Sequence, residues 1–130
     1  MSADDVQVGG THYQSLYQHW SYMADIDANY FEGCITKYVY RWRKKNGVQD
    51  LEKARHFLDK YIEVCTEDFV PSNNNLDDFT RFCYSNAVDV METAIMENVL
   101  LAGSVDDLHT ARRLLDDLIA SEPARGYVNQ

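Results

Sequence analysis

The chain has 130 residues, 45% of them apolar, which is enough for one domain with a buried core and no need of disulfide or metal staples. Its formal net charge is −9, which excludes general nucleic-acid binding, because that requires a broad basic face. No apolar run approaches about 18 residues, and the opening MSADDVQVGG has no hydrophobic core. No membrane span and no signal peptide are therefore expected, and the expected location is the cytoplasm.

The charge is unevenly spread. Residues 1–65 hold eight Lys/Arg against nine Asp/Glu, and residues 66–130 hold four against twelve. A near-neutral half thus precedes a strongly acidic one, and a local basic patch in the first half can still take a small anion. Cys34, Cys65 and Cys83 are odd in number and sit in apolar helical patterns, so they read as reduced, buried thiols. No spacing of Cys and His suggests zinc.

In chain order, Gly9-Gly10-Thr11-His12-Tyr13 predicts a turn with exposed amides, suited either to cradling a phosphate or to docking His12 and Tyr13 on the core. The stretch 17–29 is rich in aromatics. Trp20, Met23 and Ile26 recur at spacings of three, which predicts a short helix. Such a stripe serves as core or stacks a base.

Residues 30–63 predict a helical hairpin. Phe31, Ile35, Tyr38, Val39 and Trp42 form the apolar face of its first helix. Gly33, Lys37, Arg41 and Lys44 form a neighbouring stripe. Lys37 and Arg41, one turn apart, can grip one phosphate together, with Arg41 supplying a bidentate fork. A solvated basic face is the alternative. Gly33 inside a helix costs about 1 kcal/mol relative to Ala, which points to close packing or a close ligand there. Asn46-Gly47 predicts the stop, and Asp50 an N-cap or first-turn acid. The second helix buries Leu51, Ala54, Leu58, Tyr61, Ile62 and Cys65. Its outer side predicts surface pairs Arg55–Asp59 and Glu52–His56.

Pro71, Ser72 and three asparagines make residues 66–78 a linker. A long helix is predicted over 76–101, a turn at Gly103, and a last helix over 106–121. The stretch DLEKARHFLDKYI (50–62) aligns without gaps on DLHTARRLLDDLI (107–119), with seven identities. Two related hairpins are therefore expected. The fold class is all-α: the hairpins form a four-helix core, preceded by an N-terminal loop and a short helix, in one domain made of an 8–65 half with a basic helix and an acidic 76–121 half. In the second copy, acidic or neutral residues replace Lys37, Arg41, Lys44 and Lys45.

GGTHY, FEGCITKYVYRWRKKNG and DLEKARHFLDKYI, taken in order, resemble the SaV-like family of small bacteriophage proteins over about residues 8–64. The matching positions are His12, Tyr13, Phe31, Gly33, Lys37, Tyr38, Arg41, Lys44, Lys45, Gly47, Asp50, Leu51, Lys53 and Ala54. The resemblance implies a phage-encoded protein acting in an infected bacterial host. It also implies a nucleotide ligand, since the family includes a coliphage kinase of deoxynucleoside monophosphates that has no P-loop.

Three functions are weighed. The first is sequestration of a phosphate-bearing nucleotide or nucleotide-derived defence signal. Lys37, Arg41, Lys44 and Lys45 would hold phosphate, His12 and Tyr13 would sit beside it, and Trp20 or Tyr38 would stack the base. A homo-oligomer that builds the pocket from two chains is expected. The second is a nucleoside monophosphate kinase, which would add Mg²⁺ held by Asp50 or Asp59. A related variant holds Mg²⁺ on Asp89, Glu92, Glu97 and Asp116 or Asp117, as a nucleotide pyrophosphohydrolase would. The third is an acidic protein that blocks a host defence factor. For the first, no cofactor or resident metal is expected.

Overall fold

A computed structural model describes residues 16–65, 69 and 75–122. His12, Tyr13 and the paired glycines before them lie outside the described residues, as does most of the linker. The described residues form six α-helices: α1 (His19–Asp25), α2 (Tyr30–Arg41), α3 (Val48–Cys65), α4 (Leu76–Ser85), α5 (Val90–Leu100) and α6 (Val105–Ser121), with a 3₁₀ turn, Trp42–Lys44, after α2. The fold is all-α, and α2, α3, α5 and α6 make the four-helix core.

The long helix predicted over 76–101 is two helices. α4 stops at Ser85 because Ala87 takes a left-handed conformation, φ 51°. The Val88 N–H then bonds the Cys83 carbonyl and the Ala87 N–H bonds the Tyr84 carbonyl, which closes a Schellman cap. The end of α1 is built the same way. Asp27 has φ 54°, Ala28 N–H bonds the Met23 carbonyl and Asp27 N–H bonds the Ala24 carbonyl. An Ala in this conformation carries a steric penalty that Gly does not. Ala87→Gly is therefore expected to stabilise the protein by about 1 kcal/mol in urea unfolding; a loss of stability would contradict this account of the cap.

These caps extend the repeat from two helices to three. Asn29 and Asp89 precede α2 and α5, Glu32 and Glu92 are buried in their first turns, and Tyr22 and Phe82 are fully buried in α1 and α4. All these pairs are 60 residues apart, as are Ile35/Ile95 and Val39/Val99. From Asn46 onward the shift becomes 57 residues. The Asn46 N–H bonds Asp50 at 3.3 Å, and the Gly103 N–H bonds Asp107 at 2.7 Å. Trp42 matches Ala102, both buried, and Asn46 matches Gly103. Arg43, Lys44 and Lys45 are left with no counterpart: the first half carries a three-residue basic insertion.

Contacts between the halves run mainly helix to counterpart, α1 to α4, α2 to α5 and α3 to α6. Tyr22 stacks on its own counterpart Phe82 at 4.8 Å and 19°. Arg55 Nη1 reaches Asp116 at 3.0 Å, and Arg112 Nε reaches Asp59 at 2.5 Å. Each Arg thus bonds the counterpart of its neighbour's acid, which is a pseudo-two-fold arrangement. It corrects the expected Arg55–Asp59 surface pair: both groups turn across the α3–α6 contact. All four side chains are partly exposed, so each pair is worth no more than about 1 kcal/mol.

Smaller boundaries also shift. α2 ends at Arg41 and its exit is a 3₁₀ turn, with Gly47 (φ 64°) supplying the predicted stop. α3 begins at Val48, which makes Asp50 a first-turn acid. A Cβ on Gly33 would meet nothing within 4 Å, so close packing does not account for that glycine.

Candidate functional site

α2 enters through a capping box. Asn29 accepts from the Glu32 N–H at 2.8 Å, and Glu32 accepts from the Asn29 N–H at 2.9 Å. Ile35, Val39 and Trp42 then face the core, which turns Lys37, Tyr40 and Arg41 toward α1. There, Gln18, His19 and Trp20 close a cleft of about 230 Å³, with Leu16 and Asn86 at its edge. Tyr40, Arg41, Leu16 and Asn86 also line a second groove of about 570 Å³ that continues past Arg43, Lys44 and Lys45 to Asp89 and Glu92. The two are contiguous, and Arg41 stands at the junction. Binding clefts commonly span roughly 300–1,000 Å³; the first cleft alone falls below that range and the pair reaches it.

His19 is the residue that sequence reasoning missed. Its ring lies parallel to Tyr40 at 5.4 Å and 8°, and edge-on to Phe82 at 5.9 Å. Its Nε2 is 2.7 Å from Thr36 Oγ1. The Thr36 hydroxyl hydrogen points to the Glu32 carbonyl at 2.7 Å, so Nε2–H donates to Thr36 and Nδ1 is the acceptor nitrogen. Burial pulls its pKa down to about 4, helped by the nearby charges of Lys37 and Arg41. The ring is neutral at pH 7 and adds an aromatic wall rather than a third positive charge. The missed signal was its place between Tyr17 and Trp20, a stretch read only as an aromatic stripe.

The low pKa has a sign that can be tested. The unfolded His19 binds its proton near pH 6.5, whereas the folded one binds it only near 4. Stability from this group is complete above about pH 6.5 and is lost as pH falls to about 4, by on the order of 3 kcal/mol. Urea unfolding of wild type and His19→Gln from pH 7 to 4 should show the two curves converging. Parallel curves would remove the buried-neutral assignment.

Arg41 Nε is buried with no hydrogen-bond partner among the described residues, and fully buried Asp50 lies 3.9 Å away. Lys37 lies with Arg41 in the first cleft, and Trp20, 56% exposed, stands beside it. Lys44 and Lys45 face the second groove. Tyr38 does not line either space. It stacks on Phe57 at 6.1 Å with Lys37, Arg41 and Lys53 around its ring. Of the two rings expected to stack a base, the fold brings Trp20 to the cleft and leaves Tyr38 against α3.

Of the carboxylates considered for Mg²⁺, Asp50, Asp59, Asp89, Glu92 and Asp116 are already engaged, and Glu97 and Asp117 are exposed. Asp50 accepts from Asn46, Asp59 and Asp116 take the two arginines, and Arg43 holds Asp89 at 2.8 Å and Glu92 at 3.0 Å. Among the described residues no group of three or more His, Cys, Asp or Glu could hold a metal ion.

The cleft is not repeated in the second half. At the equivalent positions His19, Trp20, Lys37, Tyr40 and Arg41 become Phe79, Thr80, Glu97, Leu100 and Leu101, and Asn86 answers to buried Ile26. The scaffold is shared and the cleft lining is not.

A family model described as a protein of unknown function, DUF3310, matches residues 10–59. That stretch holds α1, α2 and most of α3, so it contains the α1–α2 side of the cleft. Neither a curated protein nor a solved structure matches the chain.

Proposed function

We propose that the protein binds and sequesters a phosphate-bearing nucleotide or nucleotide-derived signal in the α1–α2 cleft, and that it is a phage product acting against a host defence signal. One observation carries the reading. Lys37 and Arg41, one turn apart, share a cleft with the neutral His19 ring, Tyr40 and exposed Trp20. Their scaffold contacts are the Tyr38 ring and, for Arg41, buried Asp50 at 3.9 Å, and the second half, with Glu97 and Leu101 at these positions, folds without such cations. The cations suit a phosphate and the rings suit a base.

Sequestration is favoured over phosphoryl transfer because the described lining of the first cleft includes no carboxylate, and the two that line the adjoining groove, Asp89 and Glu92, are paired with Arg43 rather than free to hold the Mg²⁺ that such transfer normally uses. The phage origin rests on the resemblance of residues 8–64. A homo-oligomer belongs to the same reading, although the two-fold contact it would supply is already made within the chain; sedimentation at several concentrations tests it.

Calorimetry of the full chain against a nucleotide panel, followed by chromatography of the recovered ligand, tests the function. Binding with chemically unchanged ligand is the expected result. A transferred phosphate would replace sequestration with the kinase reading, and no binding to any member of the panel would remove both.

A further inference from the structure

We infer that the basic insertion Arg43-Lys44-Lys45 forms a second anion subsite, so that the ligand carries a polyphosphate whose distal phosphates reach past Arg41 into the second groove. This rests on the nucleotide reading above and narrows its ligand class.

The insertion is the starting point. The second half closes the same helix–turn–helix without these residues, so the turn does not need them. Three consecutive cations in a chain of net charge −9 also oppose the overall composition. The start of the turn is firmly held. The Trp42 Nε1–H donates to Glu92 Oε2 at 2.5 Å, with Trp42 1% and Glu92 2% exposed. Arg43 donates to the same oxygen at 3.0 Å and pairs with Asp89 at 2.8 Å. Glu92 thereby diverges from its counterpart Glu32, which caps its own helix. The second half has turned a buried carboxylate into an anchor for the first half's basic turn. An anchored turn presents its charges with little ordering left to do on binding.

Arg43 is occupied by this anchoring. Lys44 and Lys45 are exposed and make no ion pair among the described residues. They line the groove that shares Arg41 with the first cleft. From Lys37 to Lys44 the backbone advances about 12 Å, one α-turn and then one 3₁₀ turn. A polyphosphate chain running past Arg41 matches this spacing, with Lys37 at one end and Lys44 at the other.

Calorimetry in chelator and low salt, with nucleoside monophosphates, the matching triphosphates and inorganic tripolyphosphate, tests this. The triphosphate is expected to bind about tenfold or more tighter than its monophosphate. In Lys44→Ala/Lys45→Ala that ratio should fall to within about twofold, whereas Lys37→Ala should weaken both ligands by a similar factor. Tripolyphosphate that binds as tightly as the nucleoside triphosphate would uphold the subsite and remove the base from the ligand. A ratio near one in the wild type, or an undiminished ratio in the double variant, would overturn the inference while the nucleotide reading stands. No binding of any nucleotide or of tripolyphosphate would overturn both.

Discussion

Phe82→Ala is expected to lower stability by about 3–5 kcal/mol in urea unfolding. Phe82 is fully buried and meets Tyr17, His19, Tyr22 and Tyr40, with ring centroids 4.8–6.2 Å apart. Its removal takes away the shared neighbour of these four rings and opens a cavity between the halves. His19 and Tyr40, which line the cleft, lose their common support, so ligand affinity should fall even at temperatures where the variant is folded. Phe82→Leu, which keeps most of the volume, should lose less of both. If Phe82→Ala costs under about 1 kcal/mol, the halves are not locked through this cluster and the pseudo-two-fold account of the core is wrong.

Arg41→Ala is expected to weaken nucleotide binding by about 10–100-fold, or about 1.4–2.8 kcal/mol. Among the described residues Arg41 is the one cation that lines both spaces, and it shares the first with Lys37. Its effect on stability should be smaller, because Asp50 keeps its bonds from Asn46 when the 3.9 Å contact is lost. Arg41→Lys keeps the charge but not the planar fork, so it should recover only part of the affinity. Calorimetry of the three proteins, with a thermal melt of each, separates the two effects. Full affinity retained in both Lys37→Ala and Arg41→Ala would remove the α1–α2 cleft as the site.

The arrangement also explains how a duplicated scaffold carries the α1–α2 cleft in one half without an α4–α5 counterpart among the described residues. Helix-to-counterpart packing needs only the buried faces, which both halves keep: Ile35 and Ile95, Val39 and Val99, Leu58 and Leu115 are all fully or nearly fully buried. Outward positions were free to diverge. The first half carries the cations, and the second carries acids and apolar residues. The acidic half still serves the basic one, through Glu92 under the 3₁₀ turn and Asn86 at the cleft edge. Asn86 donates to the Tyr17 and Phe82 carbonyls at 2.9 and 3.0 Å, which ties the entry of α1 to the end of α4.

Much of this was readable without coordinates, because helices announce themselves locally. The period of apolar residues placed the start of α2, and α3 and α6, to within about two residues, but ran α2 about four residues too far, into the 3₁₀ turn, and the gapless match of 50–62 on 107–119 showed the repeat. Lys37 and Arg41 stood out by charge and spacing alone. Other features depended on contacts between residues distant in sequence. The split of 76–101 turned on one alanine held left-handed, for which the local sequence gives no glycine signal. The true partners of Arg55 and Asp59 lie in α6, so an i,i+4 rule could only pair them wrongly. The burial of His19, and hence its neutral ring, comes from Tyr40, Thr36 and Phe82, which meet only after α1, α2 and α4 pack. Composition and periodicity determined an all-α duplicated scaffold with one basic helix. Only the packing of the halves decided which side chains share the cleft, because burial and desolvation are properties of neighbours in space.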